Sequence, residues 1–157
     1  RQHHKAYFER VAAIEYTFAH DDGKNPPGWL NADVLLVGVS RSGKTPLSVY
    51  LSVLGWKTAN YPLVPELPPP PQLFEVDPRR VIGLTIDIDR RHTFRMRRSI
   101  EMGVSAGGTY TDPERLQEEL QYAKRLFRQG GFYVLNVTDR TVEANADEII
   151  KRISRIE

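Results

Sequence analysis

Residues 34–46 read Val34-Leu-Leu-Val-Gly-Val-Ser-Arg-Ser-Gly-Lys-Thr-Pro46. Gly38, Gly43, Lys44 and Thr45 fall at the spacing G-x-x-x-x-G-K-[ST], an arrangement that binds phosphate. The two glycines permit backbone angles and a close approach that side chains would block. Successive N–H groups along Val39, Ser40, Arg41 and Ser42 then form an anion-binding concavity at a helix N-terminus, where the helix dipole also favours negative charge. Lys44 reaches the terminal phosphates of a nucleotide, and the Thr45 hydroxyl is placed to ligate magnesium. Pro46 falls in the first helical turn, where a missing N–H is tolerated. Three further acidic positions bear on this chemistry. Asp21 and Asp22, beside His20, could supply a general base and a magnesium ligand, although on spacing alone they also suit a solvated turn at a helix end. Asp87 ends an apolar run, where it could serve as a magnesium-associated carboxylate or simply as a helix N-cap. The arginines at 90, 91, 95, 97 and 98 could clamp phosphates or form a solvated basic face. His3 and His4 sit in no metal-ligand pattern.

The elements that would hold these residues follow from periodicity. Residues 5–19 read as a helix with an apolar stripe of Tyr7, Val11, Ile14 and Phe18, stopped by His20-Asp-Asp-Gly23. Asn25-Pro-Pro-Gly28 continues as a loop, with Trp29 and Leu30 packing its end. Val34–Val37 is a buried strand, and 44–54 a helix whose Tyr50, Leu51 and Leu54 face the core, capped by Gly55. A strand is expected over 58–63, then an extended polyproline-like connection at Leu67-Pro-Pro-Pro-Pro71. A third strand covers 81–86. Residues 88–102 read as a helix and 103–110 as mobile. Thr111-Asp-Pro-Glu114 opens a helix with capping-box chemistry, buried through Leu116, Leu120, Ala123 and Phe127 and ended by Gly130-Gly131. Phe132–Val137 is a fourth strand. The last helix follows Thr138-Asp-Arg-Thr141, with Val142, Ala146, Ile149, Ile153 and Ile156 inward. Strands alternating with helices imply a mostly parallel sheet with helices on both faces, plus one extra helix at the N-terminus. The fold expected is therefore α/β, of the phosphate-loop kinase type, with the loop at the carboxyl end of the first strand.

Composition bounds the rest. The 157 residues suit one domain, 1–157, with 40% hydrophobic and 27% charged residues, ordinary for a globular protein. The net charge of +2 gives no bulk electrostatic reason to bind nucleic acid. With no cysteine there are no disulfides or thiolate metal sites, which fits a reducing cytosol, and a cytoplasmic protein is expected. No apolar run approaches the ~20 residues of a membrane span. The chain does not start with Met and shows no signal peptide; it is expected to be the C-terminal part of a longer protein. A homodimer is left open.

The blocks Tyr7-Phe-Glu-Arg-Val-Ala-Ala-Ile-Glu-Tyr16, His20-Asp-Asp-Gly23, Gly38-Val-Ser-Arg-Ser-Gly-Lys-Thr-Pro46, Asn60-Tyr-Pro62, Gly83-Leu-Thr-Ile-Asp87 and Tyr110-x-Asp112 together resemble the regulatory proteins of pyruvate, phosphate dikinase and phosphoenolpyruvate synthase. The likeness runs from about Tyr7 to Ile153. It implies a bifunctional enzyme that phosphorylates a threonine of its target with ADP, releasing AMP, and removes that phosphate by phosphorolysis with inorganic phosphate, giving pyrophosphate. The implied cofactors are ADP, inorganic phosphate and Mg2+, and the implied partner is the dikinase or the synthase. Ser42-Gly43 and Asn60-Tyr61-Pro62 resemble the synthase-directed branch; Val64-Pro-Glu66 and Leu73-Phe-Glu-Val-Asp-Pro78 resemble the dikinase-directed branch, towards which the reading leans. The resemblance raises Asp21 and Asp22 to site residues. Thr45, with Asp87 or Asp22, would place the metal, a carboxylate at Asp21 or Asp22 would accept the threonine proton, and Arg41 would meet the transferred or incoming phosphate. Two rival readings share the loop and sheet: a small-molecule kinase of shikimate or adenylate type, and a non-catalytic nucleotide-sensing module.

Overall fold

A computed structural model describes residues 2–39, 41–88 and 113–156. Helix α1 spans Gln2–Ala19, strand β1 Val34–Gly38, helix α2 Lys44–Val53, strand β2 Thr58–Pro62 and strand β3 Val81–Thr85. Helix α3 then covers Pro113–Gly130, strand β4 Tyr133–Asn136 and helix α4 Val142–Ser154. Ile88 is not helical, and the rest of the expected helix at 88–102, the arginines within it, the 103–110 segment and Thr111-Asp112 lie outside the described residues.

The four strands form one parallel sheet in the order β2-β1-β3-β4. β1 is central and buried along its whole length, which is why its sequence is an unbroken apolar run. Alternation splits that run between two cores. Val34 and Leu36 face Leu47 and Leu51 of α2 and Ile149 and Ile153 of α4. Leu35 and Val37 face the other way, towards Trp29, Leu73 and the α3 residues Leu116, Leu120 and Phe127. Gly83 of β3 is part of this packing. A Cβ there would stand 2.7 Å from the Phe127 ring, so the missing side chain is what lets the phenyl group lie on the strand.

Helix α1 packs on α2 and β2, but through a different face from the expected stripe. Tyr7 and Phe18 are 55% and 59% exposed, whereas Ala13 and Thr17, and His20 just past the helix end, are buried. Small residues let the helix approach closely, and the Thr17 hydroxyl accepts the Thr58 N–H at 3.2 Å on the outer edge of β2. His20 carbonyl accepts the Asn60 N–H on the same edge at 3.4 Å. α1 thus covers an edge that would otherwise offer unpaired donors.

Smaller departures have local causes. Trp29 is buried against Tyr61, whereas Leu30 is exposed. Leu54 lies just past the end of α2 and is 47% exposed. The proline run is extended only as far as Pro70, since Pro71 already begins a 3-10 turn to Phe74. Thr141 caps α4 by accepting the Ala144 N–H at 3.0 Å, as its position in the sequence requires. Among the described residues no helix is long and apolar enough to cross a membrane.

Candidate phosphoryl-transfer site

The loop after β1 and the start of α2 form one wall of a cleft of about 560 Å³, lined by Asp22, Arg41, Gly43, Lys44, Thr45, Pro46, Pro62 and Val64. Gly38 lies beneath it at the carboxyl end of β1. A Cβ on Gly38 would stand 2.7 Å from the Leu84 carbonyl oxygen, so the residue is small because β3 passes there. Gly43 has φ +80° with open space around it, so it is needed for its backbone angle. Ser40 lies outside the described residues. Arg41 also takes a left-handed φ, +75°, and is exposed on the cleft.

Inside the loop, the Val39 carbonyl accepts from the Lys44 ammonium at 2.7 Å and from the Ser42 hydroxyl at 2.7 Å. Ser42 is therefore a brace of the loop. Lys44 is buried, and desolvation pulls its pKa down to about 8 against the opposing pull of Asp22 and Asp21. A buried ammonium held by one carbonyl is an unfinished cation site, and an anionic phosphate would complete it.

The opposite wall comes from the turn that ends α1. The Thr45 hydroxyl donates to Asp21 Oδ1 at 3.0 Å. Asn60 of β2, fully buried, donates to the same oxygen at 2.7 Å and to the Ser48 hydroxyl at 3.1 Å. Its own Oδ1 accepts the Asp22 N–H at 2.8 Å. Asp22 adopts φ +54°, ψ +44° and lines the cleft. The sequence-predicted pair is thus brought to the loop, 24 residues away along the chain for the Thr45–Asp21 contact.

His20, counted from the sequence among the candidate catalytic residues, has both ring nitrogens paired within its own turn. Its Nδ1 lies 2.7 Å from the Tyr16 carbonyl, which can only accept, so this nitrogen donates. Nε2 then accepts from the Asn25 amide at 3.0 Å. The ring stacks on Tyr16 at 3.8 Å, and the Tyr16 hydroxyl, its pKa raised by burial, donates to the Gly28 carbonyl at 2.6 Å. Both ring nitrogens are engaged in holding the turn, and His20 is not among the residues lining the cleft.

Asp87 is also placed away from the cleft lining. It is exposed, its N–H donates to the Thr138 hydroxyl at 2.7 Å, and its carboxylate accepts from Asn136 at 2.8 Å. Of the carboxylates considered for the metal, the one that the Thr45 hydroxyl bonds is Asp21. These two oxygens fit magnesium, which takes one or two protein oxygens together with substrate phosphates and water. Among the described residues no group of three or more His, Asp or Glu could hold a metal by itself.

Asn60 was visible in the sequence only as part of a family-like block. A chemical signal was present, however, because an amide at the centre of a buried strand must find partners. Pro62 and Val64, which line the cleft, carried no such signal.

Residues 1–150 match the kinase/pyrophosphorylase family. The chain belongs to that family. A Chloroflexus aurantiacus protein named pyruvate, phosphate dikinase regulatory protein is 57% identical over 150 residues, covering 96% of this chain and 54% of that relative. Relatives with the same naming in Geobacter sulfurreducens and Listeria monocytogenes are 46% and 44% identical, covering 94% and 97% of this chain and 55% and 56% of their own lengths. The chain therefore spans about half the length of the curated relatives it matches. The family description names both a kinase and a pyrophosphorylase.

Proposed function

We propose that this chain forms the nucleotide-binding part of a bifunctional regulator of pyruvate, phosphate dikinase. It transfers the β-phosphoryl group of ADP to a threonine of the target and removes it by phosphorolysis. The observation that carries this reading is the convergence of Lys44, Thr45 and Asp22 on one cleft walled by the Gly38–Thr45 loop, with Asp21 bonded to Thr45 beside it. The relatives named for the dikinase favour that target over the synthase.

In the forward reaction the loop amides and Lys44 hold the ADP phosphates. The threonine oxygen bonds to the β-phosphorus as the bond to the bridging oxygen breaks, and AMP leaves with that oxygen. Asp22, which lines the cleft, accepts the hydroxyl proton, and Arg41 meets charge on the transferred group. In reverse, an oxygen of inorganic phosphate bonds to the phosphorus of phosphothreonine. Threonine leaves, regains a proton from Asp22, and pyrophosphate is released. Thr45 and Asp21 would hold magnesium, which when bound neutralises phosphate charge. One cleft serves both directions because the incoming phosphate occupies the position vacated by AMP.

The test is a product assay with full-length protein and purified dikinase or synthase, offering each nucleotide in turn. ADP should support threonine phosphorylation with AMP as product, and ATP should not. Asp22→Asn should lower turnover in both directions by about 10²-fold or more, the scale of a lost general base, with little change in ADP affinity. ATP-driven phosphorylation yielding ADP, with ADP inert, would overturn the assignment.

A further inference from the structure

We infer that Asn60 is a positioning residue that divides the work of the two carboxylates, holding Asp21 on the metal side and turning Asp22 towards the acceptor. The inference rests on the phosphoryl-transfer reading of the cleft and deepens it.

The argument starts from burial. An amide on a central position of a strand with no solvent exposure is costly unless paired. Asn60 pairs three ways, and two of the three partners belong to the Asp21–Asp22 turn. The bonds have different effects. Donation to Asp21 Oδ1, shared with the Thr45 hydroxyl, fixes one carboxylate beside the residue expected to touch magnesium. Acceptance from the Asp22 N–H acts on the backbone, and it stabilises a left-handed conformation that a non-glycine residue rarely adopts. In that conformation Asp22 lines the cleft, while its neighbour Asp21 meets the Thr45 hydroxyl. Ser48 of α2 takes the second amide proton and ties the strand to the helix that starts at the phosphate loop. One side chain therefore sets the spacing between loop and carboxylates, a role that second-layer partners of metal ligands often fill.

The experiment compares wild type, Asn60→Ala and Asp21→Asn, singly and combined, in full-length protein. Calorimetry measures ADP binding with and without magnesium, independently of turnover. In Asn60→Ala the ADP affinity without magnesium should stay within about threefold of wild type, since Lys44 and the loop are intact, and the tightening produced by magnesium should be largely lost. Turnover should fall by about 10–100-fold at little-changed KM, and adding Asn60→Ala to Asp21→Asn should change the magnesium dependence little further, because on the metal side Asn60 acts through Asp21. Thr17→Ala, which weakens the same edge of β2 without touching the turn, should leave the magnesium effect unchanged and so separates positioning from mere stability. Should Asn60→Ala not fold, Asn60→Ser, too short to reach Asp21, takes its place. Equal magnesium dependence in wild type and Asn60→Ala, or a further loss of magnesium dependence on adding Asn60→Ala to Asp21→Asn, would overturn the inference. Inactivity of wild type with ADP would instead strike at the functional reading and leave the binding comparison standing.

Discussion

Lys44 shows how a single buried charge sets the behaviour of the site. Its pKa falls from 10.5 to about 8, chiefly through desolvation. Between those values the unfolded chain carries a proton that the folded one lacks, so this group's contribution to stability rises with pH across that window. Phosphate binding works in the other direction, because it favours the charged ammonium. Above pH 8, ADP binding should therefore take up a proton, and affinity should fall by up to about tenfold per pH unit. Calorimetry at pH 8.5 in buffers of different ionisation heat measures that uptake. Lys44→Ala should remove the Lys44 part of it and weaken ADP binding while leaving the circular dichroism spectrum unchanged; uptake equal to wild type would exclude Lys44 as its source. The role of Lys44 could be read in the sequence because the phosphate loop is local, with every member within eight residues. The partnership of Thr45 with Asp21 could not, since spacing says nothing of which distant carboxylate the fold brings near. Asp87 at the end of β3 was as plausible by pattern, and its engagement by Asn136 emerges only from the pairing of β3 with β4.

At the scale of elements, the strands and helices follow their hydrophobic periods closely, and the misreadings arise where packing partners are small or polar. α1 is the clearest case. Its large apolar residues suggested a stripe through Tyr7 and Phe18, yet the helix seats itself by Ala13 and Thr17 because α2 and the edge of β2 lie close. Hydrophobic counting favours bulk, whereas close approach selects small side chains. The fit of β3 to α3 makes the same point in a form open to measurement. Gly83→Ala would drive a methyl group into the Phe127 ring, which is itself buried. The substitution should cost about 1–3 kcal/mol in urea denaturation, as overpacking does. Phe127→Leu in the same chain should recover part of the loss, because touching residues couple. Additive losses in the double variant would mean that the ring does not limit this position.

For the molecule as a whole, the sheet order places β1 between β2 and β3, so the phosphate loop emerges where the chain's path divides, the position at which open parallel sheets bind ligands. Alternating strands and helices made that architecture legible, whereas the face taken by α1 and the assembly of the acidic wall depend on contacts far apart in sequence. The order of β1 and its neighbours also has a consequence in time. Both partners of the central strand lie downstream of it, and β3 arrives only after the proline-rich connection. During synthesis Val34–Gly38 waits as a bare apolar segment, a hazard for stray pairing. Gly38 takes its place in the fold beneath the Leu84 carbonyl, so the loop cannot be set before β3 is seated. Nucleotide should then recognise the finished fold and nothing earlier. At about 100 times its dissociation constant, ADP should stabilise the protein by about 2.7 kcal/mol, a rise of roughly 5–10 °C in melting temperature at this size. Stopped-flow measurements should assign that gain to slower unfolding, with the refolding rate unchanged. Faster refolding with ADP would show the loop forming early. On the expected outcome, ADP protects protein already made and offers no help to a chain still emerging from the ribosome.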